Sequence, residues 1–373
     1  MRIVFTGGGT GGHFFPLIAI IRELRKLSFQ KNLEFYYLGP HHDWGFILLS
    51  QEEVIVKKII AGKIRRYFDW QNIIDVFKII IGFFHSLYWL IKIKPKLVFS
   101  KGGEGSICVT MAAGVLGIPV FIHESDIVPG LSNRKTAKWA KKIFVSFPQT
   151  EYFDPERIIL TGNPIRKEIL GGSIEKAQEI FNLTLSKPVL LVTGGSQGSQ
   201  AINDFILLIL NDLLRDWEVI HVAGMSNIEE VKTESAVTIE NDFKKYYHLL
   251  PFLDEKEMKH ALAAADLVVS RAGSGSIFEI AACGKPSILI PLPGSAGEHQ
   301  AKNAYFYSQV GACLVFEQEN LKPNFFLDNL KLLLFKPEKL EEMSKAALEF
   351  SKPLAAGQIA REILEYLMID YSQ

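Results

Sequence analysis

Four glycine-rich segments carry the clearest chemical signal in this sequence of 373 residues. They cover residues 7–12, 101–106, 194–199 and 270–276. Each follows a short apolar stretch that predicts a strand and precedes a pattern that predicts a helix. Glycines let backbone N–H groups approach an anion closely, and the start of a helix adds its partial positive charge. The segments therefore predict a phosphate-bearing ligand; the alternative is that the glycines only form tight turns.

The first segment also fits the spacing of a dinucleotide-binding loop through Gly7, Gly9 and Gly12. That class of site places an acidic residue at the end of the second strand, where it binds the ribose hydroxyls. Here the second predicted strand is followed by residues 39–41, which are glycine, proline and histidine. The missing acid argues against a dinucleotide cofactor but leaves phosphate binding intact.

Strands and helices must hold these loops in place. A strand followed by a glycine turn and a helix occurs twice as the start of a domain, near residues 7 and 194. Short apolar strands alternate with helical patterns along most of the chain, which is typical of parallel α/β sheets. The predicted strands are residues 3–5, 34–38, 97–99, 120–122, 143–145, 158–161, 188–193, 219–222, 267–269 and 287–290. The predicted helices include residues 107–116, 201–214, 256–264, 276–283 and 300–309.

Length divides the chain into two domains at roughly 150 residues per domain. We place the boundary near Gly162–Pro164, which gives domains of residues 1–163 and 164–351. The tail is largely helical by pattern, and we expect residues 352–373 to pack back on the first domain. The predicted fold class is α/β, with two Rossmann-like, doubly wound domains.

Composition narrows the function. Lys plus Arg and Asp plus Glu both number 41, and a chain of zero net charge is not a typical nucleic-acid binder. The 3 cysteines lie far apart, which predicts reduced thiols and no zinc site. No signal peptide is predicted at the amino terminus, and no window of about 20 residues looks clean enough to span a bilayer. We expect a soluble or peripheral protein.

Five motifs resemble those of a known family and follow its order across residues 1–311. The motifs lie in residues 8–16, 123–134, 161–166, 194–198 and 271–279. The sequence in these stretches is similar to the MurG glycosyltransferases, which make lipid II in bacterial peptidoglycan synthesis. The coverage and the order of the motifs make the resemblance specific.

The resemblance implies a GT-B fold, in which two Rossmann-like domains face a central cleft. It implies an acceptor and membrane domain first and a UDP-GlcNAc donor domain second. It implies an inverting enzyme that moves GlcNAc from UDP-GlcNAc to the C4 hydroxyl of MurNAc in undecaprenyl-pyrophosphoryl-MurNAc-pentapeptide (lipid I), releasing UDP. No cofactor is implied.

The resemblance also assigns binding residues by matching position. Donor-binding residues are Thr10, Gly11, Gly12, Asp126, Arg166, Ser196, Leu253, Gly273, Ser274, Gly275, Ser276, Glu279, Gln300 and Asn303. The loops for the acceptor diphosphate contain Gly9, Gly102 and Gly103. Glu279 matches a ribose-binding carboxylate, a role that suits an acceptor of two hydrogen bonds from a diol. The alternative is that Glu279 forms a capping box with Ser276.

The reaction needs a base for the acceptor hydroxyl and stabilisation of the leaving UDP. His13 is the preferred base, because imidazole transfers protons well near pH 7. The alternatives are that His13 caps the helix or orients a phosphate and that Glu124 is the base, with His123 structural. Backbone donors and Arg166 can stabilise the phosphate charge without a metal, and the sequence contains no Asp-x-Asp motif.

Three positions depart from the family pattern. Asp126 stands where many members carry asparagine, and a carboxylate cannot donate a hydrogen bond to a sugar. Glu104 replaces an aromatic residue in the second glycine loop, where a carboxylate would repel an anionic diphosphate. It must therefore point away, pair with a cation such as Lys101, or take on a catalytic role. His299 stands where some members have a second glutamine. These departures leave the contacts of all three residues open.

An apolar stretch at residues 73–93 is flanked by basic residues. The basic residues are Lys63, Arg65 and Arg66 before it and Lys92, Lys94 and Lys96 at its end and beyond. Apolar surface with basic flanks favours an anionic membrane interface. The alternative is that all its apolar residues belong to the core. We expect a peripheral protein on the cytoplasmic side of the cell membrane, with cell-wall synthesis proteins as candidate partners and no nucleic acid.

Two other functions stay open from sequence alone. One is a related UDP-sugar transferase that acts on a different lipid, such as diacylglycerol. The other is a membrane-associated binding protein that keeps the fold without catalysis.

Overall fold

The computed structural model describes residues 1–8, 11–28, 32–62, 71–148, 152–195 and 197–369. It divides the chain into two compact units. Unit 1 is Met1–Ile165 with the segment from Lys352 onward, and unit 2 is Arg166–Ser351. The sequence-based boundary after residue 163 lies two residues before this division. The predicted site residues Gly9, Thr10 and Ser196 and the basic residues Lys63, Arg65 and Arg66 lie outside the described residues.

Unit 1 contains strands β1–β7 and helices α1–α5. The strands are Arg2–Gly8, Glu34–Gly39, Ile55–Lys58, Leu97–Gly103, Val120–Glu124, Ala140–Val145 and Ile158–Leu160. The helices are Gly11–Leu27, Asp43–Gln51, Gln71–Ile93, Ser106–Val115 and Leu131–Thr136.

Unit 2 contains strands β8–β13 and helices α6–α14. The strands are Val189–Thr193, Glu218–Val222, Tyr247–Leu250, Leu267–Ser270, Ser287–Leu289 and Cys313–Val315. The helices are Ile174–Phe181, Gln200–Leu208, Leu210–Asp216, Ile228–Thr238, Glu255–Ala264, Ser274–Ala282, His299–Gln309, Pro323–Phe335 and Pro337–Phe350. The last helix, α15, is Ala355–Ile369 and belongs to unit 1.

Each unit is built on one parallel sheet of described strands. The order in unit 1 is β3-β2-β1-β4-β5-β6-β7, and the order in unit 2 is β10-β9-β8-β11-β12-β13. Both sheets therefore reverse their direction of growth once, between β1 and β4 and between β8 and β11. Such a switch point is where ligands bind in open α/β sheets, just beyond the carboxyl ends of the strands.

The central strand β1 shows why the sheets are buried on both faces. Ile3 and Phe5 point into the core formed with α1 and α15, whereas Val4 points into the core formed with α3 and α4. All three side chains are fully buried. A parallel strand covered by helices on both sides must be apolar throughout, which explains the continuous apolar run in the sequence.

Helix α15 returns to unit 1 and packs against α1. Its buried face recurs every three or four residues, as expected for one side of a helix. The buried residues on this face are Ala356, Ile359, Ala360, Ile363 and Leu367. The side chain of Lys142 on β6 forms an ion pair with Glu362 on the same helix. The carboxyl-terminal segment is thus part of the core of unit 1.

The long helix predicted at residues 201–214 is divided in two. Helix α7 ends at Leu208 and α8 begins at Leu210, because Ile209 between them leaves the helical conformation at φ −108° and ψ 10°. Ile209 is buried in the core of unit 2. The apolar periodicity therefore continues across a break that it does not reveal.

Candidate active site

The glycine segments lie in pairs at the two switch points. Their described residues lie at or just after the ends of β1 and β4 in unit 1 and of β8 and β11 in unit 2. These are the positions where backbone N–H groups and helix starts converge on a ligand in this class of sheet. The sequence predicted each loop separately, and the strand order places the four loops in two neighbouring pairs.

The two loops of unit 1 are in contact. Gly8 and Gly103 are paired in the register of β1 and β4. A Cβ atom at Gly103 would lie 2.4 Å from the carbonyl oxygen of Gly8 and 3.0 Å from Nε2 of His13. Gly103 also has a φ of +84°, a conformation that other residues rarely adopt. Glycine is therefore required here, and it lets the imidazole of His13 lie against the loop backbone.

Side chains from neighbouring elements fix these loops. The carbonyl oxygen of Gly103 accepts hydrogen bonds from Oγ of Ser106 at 2.9 Å and from Oγ of Ser132 at 3.0 Å. The hydroxyl of Tyr37 donates to the carbonyl oxygen of Gly7. His13, the third residue of α1, is thus positioned beside a loop whose peptide groups are held from several sides.

Glu124, the other predicted base, has both carboxylate oxygens engaged. Oε1 accepts from the backbone N–H of Asp126 at 3.1 Å, and Oε2 accepts from the N–H of Gly130 and from Nδ2 of Asn133, both at 2.9 Å. The side chain is buried, and burial followed by the charge of Asp126 raises its pKa. These contacts shape the loop after β5. They favour a positioning role for Glu124 over that of a base.

Lys101 is a buried cation at the end of β4. Its Nζ donates to Oγ of Ser125, and the carboxylates of Glu124 and Asp126 offset part of its charge. Burial is the larger effect and lowers the pKa of Lys101 to about 8. Burial, together with the charge of Lys101, also holds the pKa of His123 well below its usual value. His123 is therefore neutral, with Nε2 lying 3.2 Å from the carbonyl oxygen of Gly162.

Replacing Lys101 by methionine will reduce the stability that the protein gains between pH 8 and pH 10. The pKa of Lys101 is about 8 in the folded chain and 10.5 when unfolded, so the folded chain loses the proton first. Over this interval the unfolded state binds more protons, and rising pH favours folding. The contribution is on the order of 2 kcal/mol at 1.36 kcal/mol per pKa unit. Urea unfolding at both pH values measures it.

An exposed lysine supplies the control for this measurement. Lys141→Met in β6 should leave the pH dependence of the wild type unchanged, because Lys141 is exposed. Parallel stability curves for wild type and Lys101→Met would show that Lys101 titrates normally.

The positions that depart from the family pattern are all partly exposed. Asp126 uses its backbone N–H to bind Glu124, which places it at the start of the loop that Glu124 shapes. The carbonyl oxygen of Glu104 would lie 2.9 Å from a Cβ atom at Gly8, so its backbone is part of the glycine contact. His299 has Nδ1 at 3.1 Å from the carbonyl oxygen of Ala296.

In unit 2, α11 begins at Ser274 and has Gly273 as its N-cap, with no side-chain cap. The capping box considered for Ser276 and Glu279 is therefore not formed. A Cβ atom at Gly273, Gly275 or Gly195 would meet no described atom within 4 Å. Packing does not require glycine at these positions. The open space above them suits an anion at a helix amino terminus.

Arg166 and Glu279 form an ion pair within unit 2. Nη2 of Arg166 lies 2.9 Å and Nε 3.2 Å from Oε1 of Glu279. Nη1 lies 3.6 Å from Oε1 of Glu255. The guanidinium side chain is only 7% exposed, so two carboxylates offset its charge. Glu279 lies on the second turn of α11, close to the open glycine loop, and the ion pair holds its carboxylate there.

The remaining donor-site residues differ in accessibility. Oε1 of Gln300, partly exposed, accepts from the backbone N–H of Leu292 at 3.0 Å. Asn303 is 0% exposed, and its Nδ2 lies 3.4 Å from the carbonyl oxygen of Ala272. Asn303 therefore supports the glycine loop from behind and has no surface to offer a sugar. The side chain of Leu253 is in the core, so only its backbone is left to contact a ligand.

Arg271 was part of a sequence motif, and the structure shows what it does. Its guanidinium donates to the carbonyl oxygens of Ile290 and Pro291, to Oγ of Ser199 and to Oε1 of Gln318. The side chain is buried, and it connects the end of β12 with the start of α7. This role depends on residues far apart in sequence, which is why no local pattern predicts it.

Helix α3 presents an apolar stripe to solvent. The stripe, spaced by three and four residues, consists of Ile74, Phe77, Ile81, Phe84, Tyr88 and Ile91. By length and composition alone, residues Ile74–Ile93 form the one described helix long and apolar enough to cross a membrane, whereas the sequence led us to expect no such window. The opposite side packs in unit 1, where Ser86, Leu90 and Ile93 are buried.

The two parallel sheets, taken together with the family matches that follow, define the class as a nucleotide-sugar-dependent glycosyltransferase of GT-B fold. The glycosyltransferase family 28 amino-terminal domain matches residues 3–145, and its carboxyl-terminal domain matches residues 189–359. Within the described residues no group of three His, Cys, Asp or Glu side chains could hold a metal ion.

The chain belongs to the MurG family of this class. It is 38% identical over 352 residues to the UDP-N-acetylglucosamine–N-acetylmuramyl-(pentapeptide) pyrophosphoryl-undecaprenol N-acetylglucosamine transferase of Clostridium kluyveri, covering 93% of this chain and 96% of that protein. It is 37% identical to the enzyme of the same name from Treponema denticola, covering 98% and 96%.

Solved structures agree. The crystal structure of Acinetobacter baumannii MurG matches with a TM-score of 0.75 and 26% identity, covering 98% of this chain and 99% of that one. A UDP-GlcNAc 2-epimerase from Neisseria meningitidis, at 16% identity and a TM-score of 0.69, shares the fold alone.

Proposed function

We propose that the protein transfers GlcNAc from UDP-GlcNAc to the C4 hydroxyl of MurNAc in undecaprenyl-pyrophosphoryl-MurNAc-pentapeptide, giving lipid II and UDP with inversion. The observation that carries this proposal is the pairing of glycine loops at both switch points, in a chain that matches named transferases over nearly its full length. One pair of loops serves a nucleotide diphosphate and the other the diphosphate of the acceptor.

Unit 2 binds the donor. The open start of α11 at Gly273–Ser276 holds the diphosphate through backbone N–H groups, which also stabilise the charge of departing UDP. Glu279 accepts from the ribose hydroxyls while Arg166 fixes its carboxylate. Gln300, held at Leu292, faces the sugar, and the backbone of Leu253 faces uracil. Asn303 keeps the glycine loop in place.

Unit 1 binds the acceptor. The backbone of Gly102 and Gly103 receives the acceptor diphosphate, and Gly11 and Gly12 at the start of α1 lie toward the donor. His13 takes the proton of the C4 hydroxyl as that oxygen attacks the anomeric carbon, and the bond to UDP breaks on the opposite face. Glu124 holds the loop after β5, so that Asp126 is positioned at the site.

One assay separates this proposal from the alternatives. Purified protein is incubated with labelled UDP-GlcNAc and a lipid I analogue, and in parallel with diacylglycerol. We expect label in the lipid I product only. Transfer to diacylglycerol alone would identify a related transferase with another acceptor. Absence of transfer together with absence of UDP-GlcNAc binding would identify a non-catalytic binding protein.

The protein acts at the cytoplasmic face of the membrane, where UDP-sugars and the head group of the acceptor are both present. The exposed stripe of α3 supports this location, because burying an apolar surface of this length in a lipid interface is energetically favourable. Lys78 on the same helix is exposed, and Lys92 and Lys94 are at its end, where they favour anionic lipids. Cell-wall synthesis proteins are candidate partners at that surface.

Replacing both Phe77 and Phe84 by serine will weaken binding to phosphatidylglycerol vesicles at least tenfold. Each phenylalanine contributes about 1.5–3 kcal/mol when fully buried, and the headgroup region buries part of that surface. Vesicle flotation at low and high salt measures the affinity. Phe335→Ser is the matched control, because Phe335 is 82% exposed on α13 of unit 2. An equal loss for the control would argue against α3 as the membrane surface.

A further inference from the structure

Unit 1 contains a cavity, about half open to solvent, that the sites described above do not use. Its volume is about 380 Å³, within the range of about 300–1,000 Å³ typical of small-molecule sites. The apolar walls come from Ile79 on α3, Ile107 and Met111 on α4, and Trp139 after α5. Lys135 and Lys138 also line it. The cavity therefore has an apolar lining and basic residues on one side.

The sequence builds this cavity through a glycine. A Cβ atom at Gly114 on α4 would lie 2.4 Å from Cδ1 of Trp139, so glycine lets the indole pack directly on the helix backbone. Nζ of Lys138 lies 4.2 Å from the centre of the same indole. Ile107 and Met111, one turn apart on α4, complete the apolar wall.

Two separate elements connect the cavity with the acceptor loop. Helix α4 begins at Ser106, whose hydroxyl binds the carbonyl oxygen of Gly103, and Ile107 is the next residue. Helix α5 carries Ser132, whose hydroxyl binds the same carbonyl, and Lys135 follows three residues later. Lining residues on both helices therefore follow, by one and by three positions, the serines that bind Gly103. The other wall of the cavity, Ile79, belongs to the helix that carries the apolar stripe.

We propose that this cavity binds the first isoprene units of the polyprenyl chain on the acceptor diphosphate. A chain attached to a diphosphate at Gly103 must leave the loop on some side, and the cavity is the apolar surface next to it. Lys135 and Lys138 complement the negative charge at the head of that chain. The proposal rests on the proposed function, because it takes the acceptor diphosphate to lie at Gly102 and Gly103.

The test compares acceptors that differ only in their lipid. KM and kcat are measured for lipid I and for an analogue whose diphosphate carries a methyl group instead of the polyprenyl chain. We expect Met111→Asp to raise KM for lipid I about tenfold or more, since a charge in the cavity opposes burial of hydrocarbon. KM for UDP-GlcNAc and kcat/KM for the methyl analogue should stay within about twofold.

Val115→Asp is the matched control, because Val115 lies one turn further along α4 and is 66% exposed outside the cavity. An equal rise in KM for this variant, or an equal loss with the methyl analogue, would overturn the proposal. Circular dichroism and thermal melting confirm that Met111→Asp is folded; if it is not, Met111→Gln replaces it.

A second measurement does not depend on turnover. A polyprenyl diphosphate with a photoreactive group on its first isoprene unit should label the peptides that contain Met111 and Trp139. Labelling confined to the outer stripe of α3 would overturn the proposal. It would also be overturned if phosphatidylglycerol vesicles displaced the label and unlabelled polyprenyl diphosphate did not. If the wild type transfers GlcNAc to neither acceptor, the proposed function fails, while the labelling still decides whether the cavity binds the chain.

Discussion

Replacing His13 by alanine will lower kcat about 10²- to 10⁴-fold, the usual contribution of a general base. His13 is the side chain whose imidazole lies against Gly103, in the loop to which we assign the acceptor diphosphate. Removing it takes away the proton acceptor and leaves unit 2 unchanged, so the Kd for UDP-GlcNAc should stay within about twofold. Steady-state assays with both substrates saturating, together with calorimetry, measure the two quantities.

Two controls show whether the loss is chemical. His41→Ala removes a histidine of the same unit that is exposed and paired with Asp43, and it should retain full activity. Added imidazole should restore part of the rate of His13→Ala, since a small base can enter the space left by the ring. Near-normal turnover of His13→Ala would instead assign His13 to loop structure. So would a loss of turnover that imidazole does not restore and that is accompanied by loss of acceptor binding.

Glu124 provides the opposite expectation. Its carboxylate accepts two hydrogen bonds from the loop after β5 and one from Asn133 on α5, so Glu124→Gln should lower the melting temperature and loosen acceptor binding while kcat at saturation changes little. Removing a buried acceptor costs about 1–3 kcal/mol for each donor left unpaired. This contrast in kcat distinguishes the base from a residue that positions the site.

The glycine loops were predictable from sequence because their signal is local. A run of glycines between an apolar strand and a helix has few structural explanations, and the strand order then follows from right-handed crossovers in parallel sheets. Two short loops far apart in the chain become one site only through the topology. That step is why four separate predictions converge on two positions in the folded protein.

Accessibility was not predictable, because it depends on which face of an element meets the core. Asn303 lies on the same helix as Gln300 and one turn away, yet it is fully buried while Gln300 is partly exposed. Likewise, the donors that occupy Glu124 come from residues six and nine positions later. Strands β3, β10 and β13 were missed for a related reason: they are short edge strands whose side chains are largely half-buried or exposed.

Replacing Glu279 by alanine will raise the Kd for UDP-GlcNAc about 10- to 150-fold. Hydrogen bonds to a charged group contribute about 1.5–3 kcal/mol, and the ribose diol would lose its carboxylate partner. The same change removes the carboxylate that lies 2.9 Å from the buried guanidinium of Arg166, so the free energy of unfolding should also fall by about 1–3 kcal/mol. Calorimetric titration and urea unfolding measure the two effects.

A variant at Glu255 separates the two effects. Glu255→Gln alters the environment of the same guanidinium without removing the carboxylate of Glu279, so it should change stability slightly and leave donor affinity within about twofold. If it weakened UDP-GlcNAc binding as much as Glu279→Ala, the loss would act through Arg166 and not through the ribose.

The ligand itself gives the sharpest form of this prediction. Wild-type protein should bind UDP more tightly than 2′-deoxy-UDP, because Glu279 accepts a hydrogen bond from the 2′-hydroxyl. Glu279→Ala should bind the two nucleotides equally, since the group that distinguishes them is gone. Arg166 makes this discrimination efficient: by holding Oε1 with two hydrogen bonds, it fixes the carboxylate before the nucleotide arrives, so little side-chain entropy is lost on binding. Discrimination that persists in Glu279→Ala would require another ribose-binding group.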